Sequence, residues 1–368
     1  MTIKVMSIFG TRPEAIKMAP VVKALEKDPR FTSMTVITGQ HREMLDQVLN
    51  IFAIHPDNDL NIMAQRQTLT DITTKVLLEL QPVLKKEKPD MVLVHGDTTT
   101  TFAAATAAFY EQIRIGHVEA GLRTWNKYSP FPEEANRQMT DALADLYFAP
   151  TKQSKKNLLA ENHLASQVII TGNTAIDALD YTIQKDYHSA HLAPDDKRQI
   201  IVTMHRRENL GQPMQQSLKA LARIAQEFSD VEMIFPMHKN PQVRQQAQSI
   251  LADLPNVQLI EPLDVIDFHN FLANSYLVLS DSGGVQEEAP SLGVPVLVLR
   301  DTTERPEGIT AGTLKLIGTQ EEQVYQETKK LLVDPETYQK MAGAKNPYGD
   351  GHASQRILES IVNYFNVE

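Results

Sequence analysis

Short apolar runs alternate with longer stretches of helical periodicity along almost the whole chain. In the first half the runs are KVMSIF (4–9), MTVIT (34–38), MVLVHG (91–96), RIGHVE (114–119), LYFAP (146–150) and QVIITG (167–172). In the second half they are QIIVTM (199–204), VEMIFP (231–236), NVQLIE (256–261), SYLVLSD (275–281), VPVLVL (294–299) and LKLIG (314–318). Apolar residues fill these runs instead of alternating with polar ones, the pattern of parallel strands buried on both faces. Strands joined by helices over this length predict an α/β fold with parallel sheets. Six runs precede and six follow a polar, proline-bearing stretch at 180–199. We therefore expect two Rossmann-like domains facing across a cleft, 1–172 and 173–352, with a C-terminal helix at 353–368 packing back on the first. Ile357, Leu358, Ile361, Val362 and Phe365 give that last segment its apolar stripe.

A length of 368 residues suits two domains of ordinary size. The formal net charge of -10 argues against a nucleic-acid partner, which would call for a basic face. There are no cysteines, so disulfides, thiolate nucleophiles and cysteine metal sites are excluded. The apolar run in MTIKVMSIFG is too short for a signal peptide, and no segment approaches the ~20 apolar residues of a membrane helix. A cytoplasmic protein with no membrane partner is the expectation.

Polar clusters sit where the runs end, and ligands of parallel α/β sheets bind beyond those ends. In IFGTRPEAIK, Pro13 suits a helix start, and Arg12 and Lys17 near that N-terminus make a seat for an anion. In SDSGGVQEE, Ser282, Gly283 and Gly284 let backbone amides approach a diphosphate, with Glu288 placed for ribose hydroxyls. Asp97 ends its run either as a helix N-cap or as a chemical group. His205, in the charged cluster HRRE with Arg207, could serve as a general acid or a phosphate contact. His238 and Arg305 follow further runs, and Gln40 and His41 another; Arg66 lies in a loop without a local signal. A helix is expected from Pro132, its apolar stripe formed by Ala135, Met139, Ala142, Leu143 and Leu146. Glu133 and Arg137, four apart, then share the opposite face. They are a solvated salt bridge or a pair projecting into a cleft; periodicity does not decide. No spacing matches a metal site, and no cofactor is expected.

Taken together, FGTRPEAIKMAP, GQHREMLDQ, HGDTTTT, GHVEAGLRT, FPEEANR, TGNTAIDAL, HRREN, DSGGVQEEAPSLG, RDTTERPE and NPYGDG resemble the non-hydrolysing UDP-N-acetylglucosamine 2-epimerases over nearly the whole chain. The resemblance implies a GT-B-like fold and interconversion of UDP-GlcNAc and UDP-ManNAc through elimination of UDP to 2-acetamidoglucal. It implies that Asp97, Glu119 and Glu133 form the acid–base group, with Arg137 orienting Glu133 and His205 assisting UDP departure. It implies nucleotide and sugar binding by Arg12, Lys17, Ser282, Gly283, Gly284 and Arg305, ribose binding by Glu288, and Phe268 near uracil. Gln40, His41, Arg66 and Arg207 match the seat of a second, activating UDP-GlcNAc, and the relatives favour a homodimer. Glu134 is expected to be a first-turn partner of the helix dipole, and Arg123 receives no role. The alternatives are a GT-B glycosyltransferase using a UDP-sugar donor and a hydrolysing epimerase that releases ManNAc and UDP.

Overall fold

The computed structural model describes residues 2–40, 42–64 and 66–366, apart from the side chains of Glu43 and Met44. Contacts divide the chain into two compact units: Met1–Tyr181 with Tyr348–Glu368, and Thr182–Pro347. The first unit thus runs past the boundary expected at residue 172 and recovers the chain at Tyr348, before the expected 353.

The first unit is built on a seven-stranded parallel sheet: β1 (Ile3–Phe9), β2 (Phe31–Ile37), β3 (Asn58–Asp59), β4 (Met91–His95), β5 (Arg114–Val118), β6 (Leu146–Ala149) and β7 (Val168–Ile170). Their order is β3-β2-β1-β4-β5-β6-β7. The continuous apolar runs have the reason anticipated. Val5, Phe9, Met91 and Leu93 enter one core cluster, while Met6, Ile8, Val92 and Val94 enter another. The helix Ala353–Phe365 adds Ile357, Leu358, Ile361 and Val362 to the first cluster. Among these strands β3 is the one the sequence did not announce. Its two polar residues form a very short edge, which needs no apolar run.

The second unit carries six parallel strands: β8 (Arg198–Thr203), β9 (Val231–Pro236), β10 (Val257–Ile260), β11 (Leu277–Ser280), β12 (Val296–Val298) and β13 (Leu314–Leu316), in the order β10-β9-β8-β11-β12-β13. Both units are therefore Rossmann-like α/β folds. In each, the winding reverses once, between β1 and β4 and between β8 and β11. Loops diverge at such a reversal and leave a crevice at the strands' carboxyl ends. The loops after β1, β4, β8 and β11 carry Gly10–Arg12, Gly96–Asp97, His205–Glu208 and Asp281–Gly284.

Candidate active site

Four elements of the first unit bring charged groups together. Thr98, not Asp97, caps the helix Thr99–Tyr110, its hydroxyl accepting from the Thr101 amide at 3.1 Å. Asp97 is thereby free of the capping role. Its carboxylate accepts a hydrogen bond from Arg137, and its carbonyl accepts from the Asn136 amide at 2.9 Å. Arg137 also donates to the Glu119 carbonyl, and its Nη2 lies 3.4 Å from Glu119 Oε1. Glu119 Oε2 accepts from Lys17 and, at 3.1 Å, from the Asn173 amide. Glu119 has φ +64°, a left-handed conformation that an L side chain adopts at a cost, as functional residues often do. Burial would push its carboxyl up, but Lys17 and Arg137, with the His95 ring beside them, outweigh burial and hold it well below the ordinary carboxylate range. Burial likewise favours the neutral form of Arg137, and Asp97 and Glu119 reverse that preference.

The helix Glu133–Leu143 is turned opposite to expectation. Glu134, Asn136, Arg137, Thr140 and Asp141 are its buried residues, while Met139 and Ala142 are exposed and Leu146 belongs to β6. The reason is a set of buried charges that need partners more than one methionine and three alanine or leucine side chains need a core. Asp141, fully buried, lies 2.6 Å from His117 Nδ1 and accepts from Arg123 Nη2 at 2.5 Å. His117 Nε2 is 2.7 Å from the Gly96 carbonyl. The ring is thus held from both nitrogens, by a carboxylate on one side and a backbone carbonyl on the other. Burial raises the Asp141 carboxyl, and His117 and Arg123 bring it below the ordinary value. Arg123, without a role in the sequence reading, bridges Asp141 to Glu161.

Glu134 is more than a dipole partner. Its carboxylate accepts from the Thr124 amide at 2.9 Å and the Trp125 amide at 3.0 Å, fastening the loop that precedes the helix. Glu133, at the helix start, is half-buried. Glu14 holds the β1 and β4 loops together, accepting from the Gly10 and Thr11 amides and from the Thr98 and Thr101 hydroxyls. Arg12 is exposed at the start of the helix Arg12–Lys27, whereas Lys17, one turn on, is committed to Glu119.

In the second unit, Asp281 has no exposed surface and accepts from the His205 and Arg206 amides at 3.0 Å each and from the Asn209 side chain at 3.0 Å. Its Oδ1 is also 3.2 Å from His205 Nδ1. Burial opposes ionisation of this carboxyl, but the bonds from His205 and Arg206 keep it below the usual range. His205 is thus held from one side, and its ring stacks 5.9 Å from that of His238. Ser282 precedes the helix Gly283–Glu288, and Arg305 lies over its first residue: a Cβ on Gly283 would come within 2.6 Å of the guanidinium. Arg305 is fixed by Glu287 at 2.7 Å and by Glu304 at 2.8 Å. Burial acts against the Glu304 charge, yet Arg305 and Arg300 lower its pKa to about 2. A Gly-Gly turn beside a fixed guanidinium is suited to a diphosphate. Phe268 is half-buried beside His269, whose Nε2 is 3.6 Å from Glu288.

Of the residues matched to an activator seat, Gln40 and Arg66 belong to the first unit and Arg207 to the second. Gln40 accepts from the Thr100 hydroxyl at 2.8 Å, Arg66 is exposed with φ +56°, and Arg207 is exposed in a turn of the second unit. His41 lies outside the described residues. Sequence reasoning passed over His95, His117, Asp141, Asn173 and Asp281. A histidine inside each of two apolar runs was the available signal, because polar groups in a doubly covered strand need a partner or a task.

A family model described as UDP-N-acetylglucosamine 2-epimerase matches residues 23–362. The UDP-N-acetylglucosamine 2-epimerase of Bacillus subtilis is 61% identical over 364 residues, 99% of this chain and 96% of that protein. The crystal structure of UDP-GlcNAc 2-epimerase from Neisseria meningitidis bound to UDP-GlcNAc aligns with TM-score 0.90 and 50% identity, over 98% of this chain and 100% of that one. A UDP co-structure of S. aureus MnaA aligns with TM-score 0.90 and 56% identity, over 100% and 98%. The chain belongs to the UDP-N-acetylglucosamine 2-epimerase family.

Proposed function

We propose that this protein interconverts UDP-GlcNAc and UDP-ManNAc without releasing free sugar. The carrying observation is the Asp97–Arg137–Glu119–Lys17 cluster: two carboxylates, with Glu133 on the adjoining helix, fixed around buried cations at the ends of β4 and β5. The C2 proton of the sugar is not adjacent to a carbonyl, so direct deprotonation is too costly. Elimination avoids this. A carboxylate takes the C2 proton, the C1–O bond breaks, and UDP leaves with the electron pair, giving 2-acetamidoglucal. UDP oxygen then adds back to C1 while a second carboxyl delivers a proton to the opposite face of C2. The second unit supports departure and return of UDP through Ser282, Gly283, Gly284 and Arg305, with His205 oriented by Asp281 toward the phosphates. A glycosyltransferase would have less use for three acidic groups in the first unit.

In D2O with UDP-GlcNAc, NMR should show UDP-ManNAc forming with deuterium at C2 and little free sugar. Accumulating ManNAc and UDP would replace this reading with the hydrolysing one; neither epimer nor deuterium would end it.

We also propose a homodimer. Met139 and Ala142 face outward, and Leu78, Phe109 and Tyr110 are exposed on the neighbouring helices Leu69–Glu87 and Thr99–Tyr110. Apolar surface of this kind marks an interaction face. Sedimentation should give a species of twice the 41.3 kDa chain mass, and Met139→Glu should shift it toward monomer. Monomer for both proteins would reject the dimer.

A further inference from the structure

His95, the last residue of β4, is a buried titratable group that the preceding mechanism leaves unused. Its side chain is almost fully enclosed, and neither ring nitrogen has a hydrogen-bond partner among the described residues. Burying an unsatisfied polar group costs about 1–3 kcal/mol, so such a group in a well-packed strand calls for an explanation. Its nearest charged neighbour is Glu119: Nε2 lies 3.6 Å from Oε2, beyond a hydrogen bond but within reach of a small side-chain movement. The groups around that carboxylate are Lys17 from the helix Arg12–Lys27, Arg137 from the helix Glu133–Leu143 and Asn173 from the helix-leading loop after β7.

These neighbours create a difficulty for Glu119. Two cations and an amide stabilise its ionised form, so a proton taken from the sugar is held badly there. The His95 imidazole, 3.6 Å away and with no hydrogen bond on either nitrogen among the described residues, offers that proton a place to go.

We infer that His95 is the proton partner of Glu119, receiving the proton that the carboxylate takes from the sugar and returning it when the sugar is reprotonated from that side. The inference rests on the epimerase reading above. In the forward transfer the Glu119 O–H bond breaks and a His95 N–H bond forms; the carboxyl returns to carboxylate and the imidazole becomes imidazolium. The reverse transfer restores both when the epimer is turned back. After a forward turnover His95 releases the proton to solvent and the second carboxyl regains one from it, which is how deuterium reaches C2. His95 acts through Glu119 and is a positioning and proton-holding residue, not one that touches the sugar.

The test compares the unaltered protein with His95→Gln and His95→Phe, using UDP-GlcNAc as the probe. The unaltered protein must first form the C2 epimer; if it does not, the epimerase reading and this inference fall together. Given that activity, both variants are expected to lose about 10²-fold in kcat. UDP binding by calorimetry and Tm should be retained, and the limb of the kcat–pH profile that belongs to His95 should disappear. An unchanged kcat and pH profile in either variant would overturn the inference while leaving the epimerase reading intact. So would a kcat loss matched by equal losses of UDP binding and Tm, the mark of a purely structural histidine. A second measurement needs no His95 variant. In histidine-labelled protein, the His95 ring resonance should titrate differently in Glu119→Gln than in the unaltered chain. An unmoved titration would overturn the inference.

Discussion

Arg137→Met should lower kcat by about 10²–10³-fold, the usual loss when one preorganised electrostatic group is removed from a catalytic site. The same change should reduce unfolding free energy by about 3 kcal/mol, because it takes a buried partner from the buried Glu119 and the half-buried Asp97. Both effects have one origin. Arg137 is almost fully buried and serves three acceptors at once: the Asp97 carboxylate, the Glu119 carbonyl and the Glu119 carboxylate. Methionine fills the space but holds none of them. Arg137→Lys should fall between the two, since a lysine keeps the charge without the planar fork that reaches three acceptors. Steady-state kinetics and urea unfolding on the three proteins decide the matter. A methionine variant turning over at the original rate would mean that Asp97 and Glu119 do not work as a pair.

The second large effect is expected at Asp141, which is completely buried between His117 and Arg123. Asp141→Asn keeps the shape and removes the anion, leaving the Arg123 guanidinium with Glu161 alone and the His117 ring without its carboxylate. Loss of a buried partner of this kind costs about 3–5 kcal/mol. The pH dependence carries a sign. The folded carboxyl titrates below its unfolded value of about 3.9, so the unfolded chain binds the extra proton. The stability contributed by Asp141 is therefore complete above that pH and is lost below it, as pH falls through the lower folded value. Urea midpoints measured from pH 7 down to pH 3 should fall more steeply for the unaltered protein than for Asp141→Asn. Parallel curves would show that the pair contributes nothing across this range.

Much of the fold was legible because parallel strands covered on both faces leave uninterrupted apolar runs. All twelve predicted runs became strands, and only β3 lacked such a run. The glycines at Gly283 and Gly284 were read as room for a ligand; that Arg305 itself lies against Gly283, where a Cβ would meet its guanidinium at 2.6 Å, is a long-range contact the sequence does not show. The helix Glu133–Leu143 was misread because amphipathicity records which residues are apolar, not which charges have partners waiting beneath. Arg137 and Asp141 are four apart on one face and meet partners that lie far away in sequence: Arg137 donates to Asp97 and Glu119, and Asp141 accepts from His117. Long-range partners of this sort leave no local period. The roles of Lys17 and Asn173 were hidden likewise, since both act on Glu119 across 102 and 54 residues of chain.

Asn173 has a wider consequence. Its side chain holds Glu119, and its backbone amide donates to the Tyr348 carbonyl at 2.6 Å, the point where the chain re-enters the first unit. Gly172 and Gly349 pack against each other at the same place, a Cβ on Gly172 lying 3.2 Å from Gly349. The final helix, capped by Asp177 through the Ala353 and Ser354 amides, is fastened to the same segment. A gene fragment ending near residue 181 would therefore lose more than a terminal helix. It would lose the clasp on the residue that holds a reactive carboxylate, so the smallest faithful excerpt of this unit has to be assembled from two separate pieces of the chain.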